Sequence, residues 1–251
     1  MADHKVALVT GGSRGIGAAI VRNLAKDGYR LVFTYQSRRE EADALCTELR
    51  KAGCEALALQ CDVGRAEQID KLVADTVAAC GRIDVLVNNA GVHVPNVFFA
   101  DLKDEDWTRV LEVNLTAPYR LARVVVPVMR AQGGGHVINL SSNVTQRMPA
   151  GYGIYAVSKA GLEAFTRILA KEEGRHGIRV NGVGPGPIRT DMLQQSLDAL
   201  GADRAQAFLR SITMQRMGEP EEIASVVSFL LSDAASYMTG QIIYVNGGGV
   251  M

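Results

Sequence analysis

Short apolar runs of strand length alternate with longer helical patterns along the whole chain. This alternation predicts repeated βαβ units, in which a helix connects two parallel strands of one sheet. Because such crossovers are right-handed, successive helices cover both faces of the sheet. We therefore predict an α/β fold built on a doubly wound parallel sheet of seven strands, with helices on both faces.

The predicted elements extend over all 251 residues, a length that suffices to bury one large core in a single domain, residues 1–251. Strands are predicted at residues 6–10, 30–35, 56–62, 83–88, 136–141, 179–184 and 241–245. Helices are predicted at residues 15–27, 38–52, 66–79, 105–130, 152–175 and 220–231. The least periodic region, residues 186–218, mixes Pro187 with polar and apolar residues, and we expect it to form a mobile helical lid.

The charge balance excludes two classes of partner. Lys and Arg together number 27, as do Asp and Glu, so no net field draws the chain to nucleic acid or to an anionic membrane. The sequence contains no leader pattern and no apolar run long enough to span a bilayer. We therefore expect a cytoplasmic protein with a small or neutral partner.

The cysteines and histidines give no sign of a metal site. Cys46, Cys54, Cys61 and Cys80 show no C-x-x-C spacing, and the four histidines are scattered along the chain. Reduced, buried thiols are the simpler interpretation than a disulfide framework or a metal centre.

A glycine-rich turn follows the first predicted strand and opens the first predicted helix. In this position glycine lets the backbone approach a pyrophosphate at a helix N-terminus, which predicts a Rossmann-type dinucleotide site. The spacing is G-x-x-x-G-x-G, and the competing interpretation is a tight strand-to-helix turn without a ligand. The residues predicted to bind the cofactor here are Gly11, Ser13, Arg14, Gly15, Ile16 and Gly17.

The end of the second predicted strand favours NADP over NAD. Sites selective for NAD place a carboxylate there, where it bonds the ribose 2′-hydroxyl and repels a 2′-phosphate. This chain has Ser37 and Arg38 instead, with Arg14 nearby, and guanidinium groups pair well with phosphate. The alternative is a solvated helix start whose arginines pair with Glu40 and Glu41, which leaves NAD possible.

Two further segments end predicted strands at the edge of the sheet where ligands bind in open α/β folds. Asp62 and Val63 follow the third strand, and Asn89, Ala90 and Gly91 follow the fourth. We predict that both segments line the adenine and ribose of the cofactor.

Tyr155 and Lys159 lie four residues apart in a predicted helix, so both side chains project from one face. A cation about 4 Å from the phenol lowers its pKa from about 10 by up to about three units, which would poise a general acid near neutrality. Such a pair also arises by chance in many helices, and the dinucleotide motif is what favours a catalytic role.

Taken together, these motifs resemble the short-chain dehydrogenase/reductases. The resemblance rests on the glycine-rich turn, the Asn-Asn-Ala-Gly run that ends at Gly91, Asn114, Ser142 and the Tyr155-x-x-x-Lys159 motif, and it covers essentially the whole chain. Within the family, residues 185–192 and 240–248 look most like 3-oxoacyl-acyl-carrier-protein reductases and related bacterial ketoreductases.

The resemblance implies a role for each catalytic residue. Tyr155 would protonate the carbonyl oxygen, Lys159 would hold the nicotinamide ribose and lower the pKa of Tyr155, and Ser142 would bond the substrate oxygen. Asn114 would hold a water beside Lys159, although it could instead brace a helix kinked by Pro118. Ser141 is the alternative serine. Only one of the two can face the site, because neighbouring strand residues face opposite ways, and the family's spacing to Tyr155 selects Ser142. Further cofactor contacts are implied for Pro185, Gly186, Ile188 and Thr190.

We expect an NADPH-dependent ketoreductase that reduces the keto group of a 3-oxoacyl thioester, linked to an acyl carrier protein or CoA, or of a similar β-keto compound. The alternatives are an NAD(P)-dependent dehydrogenase of a sugar, polyol or steroid-like alcohol, and a protein that binds NADP without turnover. Gly133 and His176 stand where basic residues would meet an acidic carrier, so Arg130, Arg147 and Arg175 would have to replace them. The resemblance also implies a homotetramer, with the two longest helices at the subunit contacts.

Overall fold

The structure, a computed structural model, describes residues 4–248. Its seven strands form one parallel sheet with the order β3-β2-β1-β4-β5-β6-β7, which confirms the predicted doubly wound α/β fold. The strands are β1 Val6–Val9, β2 Arg30–Tyr35, β3 Ala56–Gln60, β4 Val85–Asn88, β5 Gly135–Leu140, β6 Ile178–Pro185 and β7 Ile242–Val245.

Helices cover both faces of this sheet. They are α1 Gly15–Lys26, α2 Arg39–Lys51, α3 Ala66–Cys80, α4 Asp104–Leu111, α5 Ala117–Gln132, α6 Val144–Arg147, α7 Gly153–Glu173, α8 Asp191–Leu200, α9 Ala202–Arg210 and α10 Pro220–Leu231. Strand β1 shows how both faces are buried: Ala7 and Val9 belong to a core with α1, α2 and α10, whereas Val6 and Leu8 belong to a core with α3 and α5.

The predicted helix over residues 105–130 is helical throughout, but it is not one regular α-helix. A π-helical turn, Glu112–Thr116, separates α4 from α5, and the backbone N–H of Ala117 donates to the carbonyl of Glu112, five residues earlier. Pro118 explains the interruption, because it has no N–H to donate to the carbonyl of Asn114 in an α-helical pattern. The turn places Asn114 in the buried part of the fold.

The strand order changes direction between β1 and β4, since the chain builds outwards from β1 on both sides. In such sheets ligands bind outside the carboxyl ends of the strands at this point. The predicted lid region contains α8 and α9, joined at Gly201, and it follows β6 at the same edge. Of these two helices only Leu197 is buried among the described residues.

Candidate active site

The turn between β1 and α1 is shaped for close approach of a ligand. Helix α1 begins at Gly15 without a side-chain cap, so its first N–H groups remain available to an anion. A Cβ at Gly17 would lie 2.1 Å from the carbonyl oxygen of Gly11, so only glycine fits there. Asn89 fixes the loop, because its Nδ2 donates to the carbonyls of Thr10 (2.9 Å) and Gly11 (3.0 Å).

The segment after β4 is joined to the same loop. The backbone N–H groups of Asn89 and Ala90 both donate to the Thr10 hydroxyl, at 3.0 and 3.1 Å. Gly91 follows, and a Cβ there would lie 3.4 Å from Asn114 Oδ1 and 3.6 Å from Lys159 Nζ. The structure therefore brings the predicted glycine loop, the end of β4 and the predicted catalytic residues into one crevice.

The arginines predicted for a 2′-phosphate have carboxylate partners in the protein. Arg38 pairs with Glu41 at 2.9 Å, as the alternative interpretation of a helix start anticipated, and Arg39 lies 3.5 Å from Asp43. Arg14 pairs with Asp191 at the start of α8, and Arg38 lies 4.0 Å from the same carboxylate. All of these groups are exposed, so a stronger anion can compete for the two arginines.

The segment after β3 lies at the same edge. Asp62 pairs with Arg109 of α4 at 3.0 Å, and its carboxylate also accepts from the backbone of Gly64 at 2.9 Å. Partial burial alone would raise the pKa of Asp62, but these partners hold it below its usual value. Val63 is buried beside it.

Three consecutive residues at the end of β5 meet three residues on one face of α7. Lys159 Nζ donates to the carbonyl of Leu140 at 2.6 Å, the Ser141 hydroxyl donates to Glu163 at 2.7 Å, and the Ser142 side chain lies near enough to Tyr155 to influence the pKa of its phenol. Tyr155, Lys159 and Glu163 are spaced by four residues, so the helix presents them in line. The strand end and the helix face thus form one rigid constellation.

The pKa values within this constellation differ from the sequence-based expectation. The removal of water raises the pKa of Tyr155 above its usual value, and the nearby Ser142 hydroxyl only partly offsets this. Burial lowers the pKa of Lys159 from 10.5 to about 8. Lys159 Nζ lies 5.7 Å from the centre of the Tyr155 ring and faces Leu140. The predicted lowering of the Tyr155 pKa by Lys159 is therefore wrong for the protein alone, in which the phenol is protonated at neutral pH.

Asn114 joins two elements through its amide group. Its Oδ1 accepts from the N–H of Val92 at 2.9 Å, and its Nδ2 donates to the Val92 carbonyl (2.8 Å) and to the Ser158 hydroxyl (3.0 Å). The side chain therefore braces the segment after β4 against α7, rather than its own kinked helix. The role of holding a water beside Lys159 stays a prediction.

Strand alternation correctly separated the two serines. Ser141 is buried and donates a hydrogen bond to Glu163, whereas Ser142 faces Tyr155. Sequence reasoning missed two neighbours of this pair. Glu163 lies one turn beyond Lys159, a spacing that would have revealed it, and the ring of His93 packs against Tyr155 with centroids 5.9 Å apart. Nothing in the spacing of His93 indicated that contact.

The residues predicted by resemblance after β6 reach the glycine loop. Pro185 ends β6, and the N–H of Gly186 donates to the carbonyl of Val245 at 2.9 Å. Ile188 is buried, and the Thr190 hydroxyl caps α8 by accepting from the N–H of Leu193 at 3.3 Å. The methyl group of Thr190 lies beside Gly15, so this segment borders the candidate cofactor site.

The arginines proposed to meet a carrier have other contacts. Arg130 forms hydrogen bonds of 2.7 and 2.5 Å to Glu173, a buried carboxylate that compensates its charge. Arg147 lies over the ring of Phe208, 5.2 Å from its centre. Arg175 contacts His176 at 3.2 Å. Of these three arginines, only Arg130 has its charge balanced by a carboxylate.

Residues 4–248 contain neither a metal-binding cluster nor a membrane-spanning helix. No group of three His, Cys, Asp or Glu side chains in this part of the chain could hold a metal ion, and none of its helices is long and apolar enough to cross a membrane. The four cysteines are free thiols, and Cys46 and Cys61 are buried.

The sheet order, the glycine loop and the serine, tyrosine and lysine side chains together define a class of oxidoreductase. The chain belongs to the short-chain dehydrogenase/reductase family, and residues 11–249 match a family model described as enoyl-(acyl carrier protein) reductase. Members of this family interconvert CH–OH and C=O groups.

Three relatives illustrate the similarity. The chain is 38% identical over 248 residues to the 3-oxoacyl-(acyl-carrier-protein) reductase FabG of Staphylococcus epidermidis, covering 99% of this chain and 100% of that protein. It is 40% identical over 248 residues to the 3-oxoacyl-(acyl-carrier-protein) reductase of Synechocystis, covering 98% and 97%. A crystal structure of a blue fluorescent protein from a metagenomic library, in complex with NADPH, superposes with a TM-score of 0.91 at 38% identity and covers 98% of each chain.

Proposed function

We propose that this protein is an NADPH-dependent ketoreductase that reduces the keto group of a 3-oxoacyl thioester, carried by an acyl carrier protein or CoA, or of a similar β-keto compound. The observation that carries the proposal is the constellation at the end of β5. A protonated phenol, a serine hydroxyl and a buried lysine converge at the crevice that follows the glycine loop.

The residues present fit a dinucleotide phosphate. The uncapped start of α1, the close packing at Gly17 and the bridging of the loop by Asn89 form a cradle for a pyrophosphate. Arg14 and Arg38 would hold the 2′-phosphate, and Ser37 is exposed beside them. None of the four residues directly after β2, Gln36 to Arg39, is acidic, so no carboxylate stands at the strand end to repel that phosphate, which supports NADPH over NADH. The NADPH-bound relative and the names of the 3-oxoacyl reductases support the same cofactor and reaction.

In the proposed reaction, Tyr155 donates its phenolic proton to the substrate carbonyl oxygen as the alcohol forms. Ser142, which lies beside Tyr155, holds that oxygen. Lys159 would bind the ribose of the nicotinamide, and its ammonium then lies beside the phenolate that remains after proton transfer. When bound, NADPH would supply the hydride that the carbonyl carbon receives.

The experiment measures NADPH oxidation with each member of a substrate panel. It includes acetoacetyl thioesters of CoA and of an acyl carrier protein, simple β-keto esters and, in the reverse direction, sugars, polyols and steroid alcohols with NAD+ or NADP+. We expect NADPH oxidation with the β-keto compounds. Failure of every β-keto compound, together with NAD+ reduction by an alcohol, would reject the proposal.

Tyr155→Phe tests the assigned acid. We expect turnover to fall by about a hundred- to ten-thousandfold, the usual contribution of a positioned acid, with NADPH affinity nearly unchanged. Wild-type NADPH binding without turnover on any member of the panel would instead support a binding protein.

We also propose that the chain assembles as a homotetramer through α5 and α7. Large apolar side chains are exposed on these helices, including Tyr119 (52%), Val157 (45%) and Ile168 (57%). Exposed apolar groups of this size favour burial against another copy. Light scattering of the purified chain measures its mass, and a monomer at micromolar concentration would contradict the assembly.

A further inference from the structure

Glu163 is a buried carboxylate of α7 that the proposed chemistry does not use. Its side chain is 8% exposed. One oxygen, Oε1, accepts hydrogen bonds from the hydroxyls of Ser141 (2.7 Å), Thr145 (2.7 Å) and Tyr244 (2.8 Å). These donors come from the end of β5, from α6 and from β7, so one atom joins three elements to the catalytic helix.

An ion pair does not account for the burial of this carboxylate. Arg167, one turn further along α7, approaches Oε2 only to 3.4 Å, and its side chain is 50% exposed. Exposed arginines contribute little to such a pair, whereas a buried carboxylate needs hydrogen-bond donors to offset its lost hydration. The three hydroxyls meet that need.

The hydroxyl donors lie on both sides of Ser142. Ser141 precedes it directly, and the Thr145 hydroxyl is also 2.9 Å from the carbonyl oxygen of Ser142. Ser142 itself sits at the turn into α6, where its Oγ accepts from the N–H of Val144 at 3.2 Å. Glu163 therefore anchors the turn that contains Ser142 to α7, the helix that contains Tyr155.

We propose that Glu163 is a positioning residue that keeps the turn containing Ser142 in place beside Tyr155. Without this anchor the turn between β5 and α6 can shift relative to α7. Displacements of about 1 Å are enough to reduce turnover strongly. The kinetic part of this inference rests on the proposed reduction, whereas the geometric part concerns only the free protein.

The inference has a consequence for the titration of Tyr155. The nearby Ser142 hydroxyl lowers the pKa of this phenol, so displacement of Ser142 raises that pKa further. The other titratable groups that face Tyr155 are Lys159 of the same helix and His93 from the segment after β4. Neither contacts Glu163, so a change at Glu163 reaches Tyr155 through Ser142.

The test uses Glu163→Gln and, as a milder variant, Ser141→Ala, with Arg167→Gln as the matched control on the same helix. We expect Glu163→Gln to lower kcat for NADPH-dependent reduction of acetoacetyl-CoA by about ten- to a hundredfold, with KM changed by less than about twofold. Arg167→Gln should behave like the wild type. Because Glu163 acts through Ser142, the double variant Ser142→Ala/Glu163→Gln should lose little more than Ser142→Ala alone.

The second readout needs no cofactor. The ultraviolet absorbance of tyrosinate is titrated in each variant, and the curve of the same variant carrying Tyr155→Phe is subtracted. We expect the Tyr155 transition to move to higher pH in Glu163→Gln and in Ser142→Ala. The inference is overturned by a folded Glu163→Gln protein whose Tyr155 titration matches the wild type, or by losses of kcat that add in the double variant. If the wild type reduces no keto substrate, the proposed function fails while this titration still decides the role of Glu163.

Discussion

Asp191, the first residue of α8, pairs with Arg14 across the mouth of the candidate cofactor site, although the two residues are 177 positions apart in the sequence. Arg38 lies 4.0 Å from the same carboxylate. The lid helix therefore offers an internal anion to the two arginines that we assign to the 2′-phosphate.

Asp191→Asn removes this internal anion. We expect NADPH to bind about two- to fivefold more tightly, because exposed ion pairs contribute little and their loss leaves both arginines to the phosphate. NADH affinity should stay the same, since NADH has no 2′-phosphate. Fluorescence titration with both cofactors measures the effect. Asp198→Asn, in the same helix, is the control, and an equal gain for NADH would contradict the assignment.

Gly17→Ala tests the tightness of the phosphate-binding turn. The added Cβ would lie 2.1 Å from the Gly11 carbonyl oxygen, so the loop must shift. We expect the free energy of unfolding to fall by about 1–3 kcal/mol and NADPH binding to weaken. Gly174→Ala is the control, because a Cβ there meets no atom within 4 Å. Denaturant unfolding separates the two variants, and equal losses would show that the contact is easily relieved.

Lys159 makes the stability of the free protein depend on pH in the alkaline range. Burial lowers the pKa of Lys159 from 10.5 to about 8, so between these values the unfolded chain binds a proton that the folded chain does not. Stability conferred by this group therefore rises with pH across that window, by up to about 3 kcal/mol. Lys159→Met should lack this rise when the two proteins are unfolded in urea at both ends of the window. Parallel profiles would contradict the shift.

His136 produces the corresponding effect in acid. Its ring is mostly buried in β5, Nδ1 has no partner among the described residues, and burial lowers the pKa of His136 from 6.5 to about 4. Stability from the neutral ring is complete above pH 6.5 and is lost as the pH falls towards 4, by up to about 3 kcal/mol. His136→Gln should flatten the acid side of the stability profile measured by urea unfolding. A profile that still matches the wild type would show that other groups control acid unfolding.

Local sequence patterns were enough to predict most of the fold. Alternating strand and helix periods predicted all seven strands. Strand alternation implied that only one of Ser141 and Ser142 faces Tyr155, and the spacing of the family motif selected Ser142. Pro118 indicated an irregular helix near Asn114, but the form of the irregularity, a π-helical turn, could not be predicted because hydropathy does not record which backbone carbonyls lose their donors. The pair of Arg14 and Asp191 could not be predicted, since contacts between distant segments depend on the packed lid. The pKa of Tyr155 depends on desolvation, and spacing along a helix does not measure it.

The contact between β5 and α7 places the reacting groups in a different part of the fold from the lid helices α8 and α9. The reacting groups are fixed by a strand end and a helix held in the core, whereas α8 and α9 contribute one buried side chain between them. Two contacts of α8 still reach the site, since Asp191 pairs with Arg14 and Ser196 lies 3.0 Å from His93, which packs against Tyr155. We expect exchanges of residues 191–210 that keep these two side chains to alter substrate preference more than proton transfer. We expect a chimera that takes this region from a relative to show the substrate selectivity of that relative and the catalytic rate of the present protein.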